Sequence, residues 1–390
     1  MLKKNLAKYA THYSKTNGRL FAEKEDKNRS VYQRDRDRII HSSAFRRLEH
    51  KTQVFVHHEG DHYRSRLTHT IEVSQIARTI SRSLKIDEDL SEAISLAHDL
   101  GHTPFGHAGE EALNFSMRGY GGFDHNAHTL RIITYLEKKY VNFDGLNLTW
   151  ETLEGIVKHN GPFKKKNIPY AISEYMSKGM DLELNTWCGP EAQVASLSDD
   201  IAYFSHDIED GIRAEFFSVK EILEEFKILK NFMKNNYKNN FKKETKRIVN
   251  EIKRFIISKM IDDLIIETKK NISFLKPTSA NDVRNMKKPL VTFSKEMNLN
   301  ISEIRSYLMK KMYRHWKINI MTNKAKSIVK DLFMIYFKEP NLLPLEWSEG
   351  IKKTNLKIKA RVISDYIAGM TDRYAIREHK KLFDITKGWY

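Results

Sequence analysis

The sequence has few of the residues that break helices or cross-link a chain. Its 390 residues include one cysteine, Cys188, with eight prolines and 17 glycines. A single cysteine excludes an intrachain disulfide and a cysteine-rich zinc site, and it fits a reducing compartment, so we expect a cytoplasmic location. No apolar run approaches the roughly 18 residues of a membrane-spanning helix. We therefore expect no transmembrane helix and no membrane partner.

Acidic residues are scarce relative to basic ones. The chain has 67 Lys and Arg against 50 Asp and Glu, which gives a formal net charge of +17. Such a surface attracts polyanions, which include nucleic acids, nucleotides and anionic membranes. The alternative is lysine enrichment on solvated helices, so the charge by itself does not name a partner. A hydrophobic content of 40% excludes wholesale disorder.

Helical periodicity dominates the hydrophobic pattern. Val73, Ala77 and Ile80 recur at three- and four-residue spacing, which is typical of an amphipathic helix. The same spacing is found in four segments: 71–85, 89–100, 218–270 and 299–338. Runs of strict alternation are few and short. The predicted fold is therefore all-α.

Composition changes near residue 217. Residues 218–290 hold 18 basic and nine acidic residues with almost no glycine, and we expect long solvated helices there. Lys276-Pro277 and Glu339-Pro340 are predicted breaks between helices. The predicted regions are a catalytic core over 1–217, a basic helical region over 218–350 and a C-terminal segment over 351–390.

Histidine is concentrated in one part of the chain. Eleven of the 16 histidines lie between positions 41 and 128, which is less than a quarter of the length. The densest string is AHDLGHTPFGH at 97–107. His98 and Asp99 end an apolar helix there, and His102 follows in the turn. Histidines mixed with acidic and small residues favour a metal or catalytic site over isolated packed imidazoles.

Acidic residues accompany this histidine cluster on both sides. Glu110 follows His107 by three residues, so one helical turn would place the carboxylate where it can orient the imidazole. Further along, Asp199, Tyr203 and Asp207 recur every four residues and would share one helix face. That face could simply meet water, but its apolar neighbours indicate a buried helix.

Five strings in order resemble the deoxyguanosinetriphosphate triphosphohydrolase (dGTPase) family, in its shorter bacterial branch. They are RDRDRIIHSSAFRRLEHKTQVF (34–55), AHDLGHTPFGH (97–107), FDHNAH (123–128), SDDIAYFSHDIEDG (198–211) and SDYIAGMTDRYA (364–375). The resemblance covers about 30–215 and 355–380, whereas 218–350 carries no string of the family. It implies an all-α HD-domain core with additional C-terminal helices, the last of which returns to the active site.

The resemblance also implies a metal site and a reaction. The set His69, His98, Asp99 and Asp199 resembles the ligands of HD-domain metal-dependent phosphohydrolases. Mixed nitrogen and oxygen donors suit Mn²⁺, Mg²⁺, Fe²⁺ or Co²⁺. Members of the family cleave a deoxynucleoside triphosphate (dNTP) between the α-phosphorus and the 5′ oxygen, and they release the deoxynucleoside and tripolyphosphate.

Further site residues follow from the same resemblance. His107 and Glu110 match the family's catalytic pair, with His107 handling the proton and Glu110 orienting it, and His102 and His125 match other histidines of the site. The predicted substrate-binding residues are Gln53, Tyr203 and Asp207 for the deoxyribose, and Arg66 and Arg373 for the phosphates. Lys158 and Lys164 to Lys166 are further phosphate candidates, with a solvated role as the alternative.

Partners and competing functions complete these expectations. The family implies a homo-oligomer, and some relatives need a dNTP activator. One alternative is another HD-domain phosphohydrolase, acting on other nucleotides or on nucleic-acid ends. A non-enzymatic alternative is a protein that binds single-stranded nucleic acid through aromatic residues interleaved with cations. Aromatics at this helical spacing more often belong to a helix core; they are Phe226, Phe232, Tyr237, Phe241 and Phe255.

Overall fold

A computed structural model describes residues 5–53, 64–164, 168–236, 245–351 and 355–384. These residues form α-helices joined by turns and loops, and no β-strand occurs among them, so the predicted all-α fold is confirmed. The helices are α1 (Val31–Ile40), α2 (Ser43–Arg47), α3 (Arg66–Leu84), α4 (Glu88–Ala97), α5 (Gly106–Ser116), α6 (His125–Arg131), α7 (Trp150–Lys158), α8 (Tyr170–Lys178), α9 (Pro190–Arg213), α10 (Val219–Glu225), α11 (Lys227–Asn236), α12 (Thr245–Leu275), α13 (Ala280–Arg284), α14 (Lys295–Leu308), α15 (Trp316–Lys338), α16 (Leu345–Ser348), α17 (Leu356–Ala368) and α18 (Asp372–Phe383).

Local sequence explains where the site-bearing helices begin. The Ser65 hydroxyl accepts a hydrogen bond from the Thr68 backbone N–H and caps α3. The Asp87 carboxylate caps α4 in the same way. Pro190 occupies the first position of α9, where its missing N–H costs nothing. Each cap satisfies a backbone donor that the helix itself leaves free.

Both predicted breaks between helices are confirmed. Helix α12 ends at Leu275, immediately before Lys276-Pro277, and α15 ends at Lys338, before Glu339-Pro340. The segment 218–270 was expected to form long helices. It contains two short helices, α10 and α11, followed by most of the long helix α12. These helices are also solvated on one side only. Helix α12 buries a row of apolar residues: Ile248, Ile252, Ile256, Met260 and Leu264.

Three hydrophobic clusters hold the helices together. The first joins α3 and α9 to α10, α11, α12 and α14, and it continues from Phe217 to Val219 across the predicted boundary. The second joins α1, α4 and α7. The third joins α5 to α15 and α17, which packs the C-terminal helices on the histidine-rich part of the chain. The division into three regions stays a prediction. No helix in the described ranges is long and apolar enough to span a membrane.

Candidate active site

Packed helices bring three of the four predicted metal ligands, His69, His98 and Asp199, into one compact group, and the fourth lies beside it. His69 lies in the first turn of α3, His98 and Asp99 follow α4, and Asp199 lies on α9. The Asp199 Oδ1 atom is 2.8 Å from His69 Nε2 and 3.7 Å from His98 Nε2. The Oδ1 atom of Asp99 is 3.5 Å from His98 Nε2. Such spacings suit neighbouring ligands of one ion, because metal–ligand bonds are about 2.0–2.2 Å long.

His98 is oriented as a ligand by its own helix. Its Nδ1 atom is 2.6 Å from the Ser95 carbonyl oxygen, so the Nδ1–H donates there and Nε2 is the ring atom that faces the other candidate ligands. That Nε2 is buried and has no hydrogen-bond partner. Leaving a buried polar atom unpaired costs about 1–3 kcal/mol. A divalent cation with nitrogen and oxygen ligands would satisfy it, so the donor set fits such an ion.

The electrostatics keep both aspartates ionised. Burial acts to raise the pKa of Asp199, but the His98 and His69 imidazoles lower it to about 2. Burial opposes ionisation of Asp99 too, yet His98, Arg66 and His102 hold its pKa well below the usual value. Two carboxylates that stay anionic, Asp99 buried and Asp199 partly exposed, attract a dication.

Arg66 contacts the metal-ligand set directly. It is 2% exposed, and its Nη1 donates to Asp99 Oδ2 at 2.8 Å. Gly106 permits this placement, because an added Cβ would lie 2.9 Å from Arg66 Nη2 and the glycine has a φ of +57°. The Arg66 Nε is buried without a partner. The side chain thus holds Asp99 and keeps one donor for another anion.

A second cluster centres on Glu110. Its Oε2 is 3.3 Å from His107 Nδ1, and its Oε1 is 2.8 Å from His125 Nδ1. The His125 ring stacks on His102 at 4.1 Å, and His102 Nε2 is 3.1 Å from Asp99 Oδ1. The two clusters therefore touch. Glu110 orients two histidines rather than His107 alone, and the shorter contact is with His125.

These histidines differ in their affinity for a proton. Burial acts to lower the pKa of His125, but the Glu110 carboxylate raises it above the ordinary value. Burial, with the positive charge of Arg66, lowers the pKa of His102 well below normal. The site therefore pairs a histidine that favours the protonated form with one that favours the neutral form.

The predicted sugar-binding pair has an additional neighbour, Tyr313. Its hydroxyl lies 2.5 Å from the Tyr203 hydroxyl and donates to Asp207 Oδ2. Tyr313 ends a π-helical turn, Met309–Tyr313, a geometry that is frequent at functional sites. Sequence reasoning missed it because 218–350 carries no recognised string. Asp207 Oδ1 and Gln53 Oε1 are both buried without hydrogen-bond partners, so each can accept one from a ligand.

The phosphate candidates differ in their placement. Arg373 is exposed on α18, and its neighbour Asp372 bonds the backbone N–H groups of Thr52 and Phe105 next to the site. Lys158 was predicted to bind phosphate or to face solvent, and both predictions are wrong. It is fully buried, and its Nζ contacts Glu154 at 3.0 Å and donates to Thr186 Oγ1 at 2.8 Å. Lys164 is exposed, and Lys165 and Lys166 lie outside the described residues.

The aromatic residues of the basic region mostly belong to the core. Phe226 is 1% exposed and Phe232 is 6% exposed. The Phe255 ring packs on Phe232 with centroids 4.7 Å apart. Phe226 and Phe232 fit the core alternative and are not available for base stacking, and the partly buried Phe255 packs against the same core. Tyr237 and Phe241 lie outside the described residues.

Comparison with known proteins supports a common ancestry over almost the full length. Residues 66–204 match the family model of the HD domain, and residues 291–381 match the phosphohydrolase-associated domain. The deoxyguanosinetriphosphate triphosphohydrolase-like protein of Parvibaculum lavamentivorans is 52% identical over 384 residues, which cover 97% of this chain and 96% of that protein. Those of Mesorhizobium japonicum and Bartonella quintana are 49% and 50% identical over 387 residues, which cover 97% and 98% of this chain and 95% and 96% of those proteins.

A solved structure of a hypothetical protein from Aquifex aeolicus matches with a TM-score of 0.39 and 18% identity, over 90% of this chain and 71% of that chain. The curated relatives are about half identical to this chain and align with 97–98% of it. The protein therefore belongs to the deoxyguanosinetriphosphate triphosphohydrolase-like family and is an enzyme with an HD phosphohydrolase domain.

Proposed function

We propose that the protein hydrolyses deoxynucleoside triphosphates to a deoxynucleoside and tripolyphosphate. The observation that carries this proposal is the junction of two clusters: Asp99, among the metal-ligand candidates, lies 3.1 Å from His102, which stacks on the Glu110-bound His125. A cation site beside a proton-transfer group is what hydrolysis at phosphorus requires. The relatives' names support dGTP as the first substrate to test.

His69, His98, Asp99 and Asp199 would hold a divalent cation, for which we propose Mn²⁺, Mg²⁺, Fe²⁺ or Co²⁺. The unpaired Nε2 of His98 and the two ionised carboxylates support this assignment. Such an ion, when bound, would polarise the α-phosphate and lower the pKa of an attacking water.

The histidines around Glu110 would move the protons. Cleavage of the bond between the α-phosphorus and the 5′ oxygen needs a base for the water and an acid for the leaving oxygen. We assign proton transfer to His107, whose side chain is 73% exposed and therefore open to a substrate. Glu110 orients it, and His125, which favours its protonated form, supplies positive charge beside it. His102 links this group to Asp99.

The remaining polar side chains would bind the substrate. The unpaired Nε of Arg66 offers a donor to a phosphate oxygen, and Arg373 is a second candidate. Asp207 Oδ1 would accept the hydrogen bond that the 3′-hydroxyl donates, and the Gln53 amide would make a second hydrogen bond to the same hydroxyl. The Tyr203 ring, held by Tyr313, would pack under C2′ and leave no room for a 2′-hydroxyl. The proposal includes a cytoplasmic homo-oligomer that a dNTP can activate.

Product analysis tests the proposal. Purified protein is stripped with a chelator, supplied with Mn²⁺, Mg²⁺ or Co²⁺, and incubated with each dNTP, each ribonucleotide and a single-stranded oligonucleotide. We expect metal-dependent release of tripolyphosphate and deoxynucleoside from dNTPs, with much slower attack on ribonucleotides. Orthophosphate as the only product, or degradation of the oligonucleotide in preference to dNTPs, would point to a different HD-domain reaction and overturn the proposal.

A further inference from the structure

A chain of contacts continues behind one proposed metal ligand, on the side away from Asp199. The Nδ1 atom of His69 lies 3.3 Å from the Nδ1 atom of His206. The other ring nitrogen of His206, Nε2, contacts the Glu72 carboxylate. His69 and His206 are 0% and 2% exposed, so these contacts are shielded from water. The rings of His69 and His206 meet edge to face, with centroids 5.5 Å apart.

The arrangement follows from the helices. Glu72 lies three residues after His69 on α3, and His206 lies seven residues after Asp199 on α9. Three residues and seven residues are about one turn and two turns of an α-helix, so each pair shares one face. The packing of α3 on α9 therefore places His206 between His69 and Glu72, although 134 positions separate Glu72 from His206 in the sequence.

When both imidazole rings are neutral, the hydrogen bonds from Glu72 through His206 to His69 can run in one direction only. An ionised carboxylate only accepts hydrogen bonds, so the His206 Nε2–H donates to Glu72. A neutral imidazole has one N–H, so His206 Nδ1 accepts. The donor opposite it must be the Nδ1–H of His69, which leaves the lone pair of His69 on Nε2, the atom that faces Asp199.

We propose that His206 and Glu72 are positioning residues that hold His69 in the tautomer and rotamer needed to ligate the metal through Nε2. This inference rests on the metal site of the proposed function. Neither residue would touch substrate. For His98 the equivalent partner is the Ser95 carbonyl of its own helix, whereas His69 uses side chains from two helices. Partners of this kind typically strengthen metal binding 10–100-fold.

Glu72 is itself held in place. Its Oε1 accepts a hydrogen bond from Arg64 Nη2 at 3.1 Å, and Arg64 also lies 3.6 Å from Glu209. The Glu72 side chain is 37% exposed, so a substitution there leaves the apolar packing of α3 unchanged. Glu72→Gln therefore tests the role of the Glu72 negative charge in this series of contacts, with little risk to the fold.

The test compares Mn²⁺ affinity, measured by calorimetry on the chelator-stripped full-length protein, across variants. His206→Leu removes the acceptor for His69, and we expect its Mn²⁺ dissociation constant to rise about 10–100-fold. His206→Asn can put an amide oxygen where Nδ1 was, so it should lose less affinity. Glu72→Gln keeps a hydrogen-bond acceptor but loses the negative charge. Its Mn²⁺ affinity should also lie between those of wild type and His206→Leu.

His379→Gln is the matched control. His379 also contacts a carboxylate, Asp331, at 2.9 Å, but it lies on α18 among the C-terminal helices. We expect its Mn²⁺ affinity to equal that of wild type. Steady-state kinetics at saturating Mn²⁺ provide a second readout, because a residue that acts only through His69 should lower kcat little once the metal is bound.

The outcomes separate the two proposals. Wild-type protein that binds no Mn²⁺, Mg²⁺, Fe²⁺ or Co²⁺ refutes the metal site of the proposed function. Wild type that binds Mn²⁺ while His206→Leu or Glu72→Gln binds it within twofold of wild type refutes the positioning role alone. A kcat loss that persists at saturating Mn²⁺ also refutes it. If His206→Leu does not fold, as judged by its circular dichroism and melting curve, the other two variants decide.

Discussion

Asp99→Ala should damage the protein in two separable ways. The substitution removes a proposed metal ligand, and it also removes the partner of Arg66, whose guanidinium is 2% exposed and 2.8 Å from the carboxylate. Breaking a buried ion pair from one side costs about 3–5 kcal/mol, because a buried charge is left uncompensated. We expect the low end, about 3 kcal/mol, since relief of repulsion between Asp99 and Asp199 offsets part of the loss.

The double variant Asp99→Ala/Arg66→Met separates the two effects. Removing both charges should restore most of the free energy of unfolding, because a buried pair replaced by apolar groups is often neutral in stability. Metal binding should stay absent in both variants. Urea denaturation of the chelator-stripped proteins measures the first effect, and calorimetric titration with Mn²⁺ measures the second.

Two results would refute this reasoning. An Asp99→Ala variant that binds Mn²⁺ at full stoichiometry with wild-type affinity would remove Asp99 from the ligand set. A double variant that is less stable than Asp99→Ala would show that the buried Arg66 charge is compensated by something other than Asp99.

Four further predictions concern the proton-transfer group and the sugar pocket. His107→Ala should lower kcat by roughly 10²–10⁴ while Mn²⁺ titration still shows binding; loss of metal binding would make His107 a ligand instead. Glu110→Gln removes the charge that raises the pKa of His125, so the histidine limb of the pH–rate profile should move to lower pH, and a limb that moves upward contradicts the assignment. Tyr203→Ala should raise KM for dGTP and narrow the preference for dGTP over GTP. Tyr313→Phe should raise KM for dGTP by less than Tyr203→Ala does, because the variant keeps the aromatic ring at position 313. Equal rates with dGTP and GTP in wild type would refute the argument that Tyr203 excludes a 2′-hydroxyl.

The sequence by itself determined where the helices break and the donor chemistry of the candidate metal site. Helix ends are local, because a proline or a capping side chain acts within one turn, and so the breaks before Pro277 and Pro340 were predictable. The donor types of His98, Asp99 and Asp199 were equally readable, since nitrogen and oxygen ligands define the class of ion before any distance is known.

Only the tertiary structure decided which side chains face one another. Lys158 carries the positive charge of a phosphate-binding residue, yet the packing of its helix buries it against Glu154. Tyr313 reaches Tyr203 from 110 positions away. These contacts depend on the crossing of helices that are distant in sequence, and a hydrophobic periodicity shows which face of a helix is buried without showing what packs against it. The residues around the active site were therefore recognisable one string at a time, whereas their partners were fixed by the packing of α3, α4 and α9.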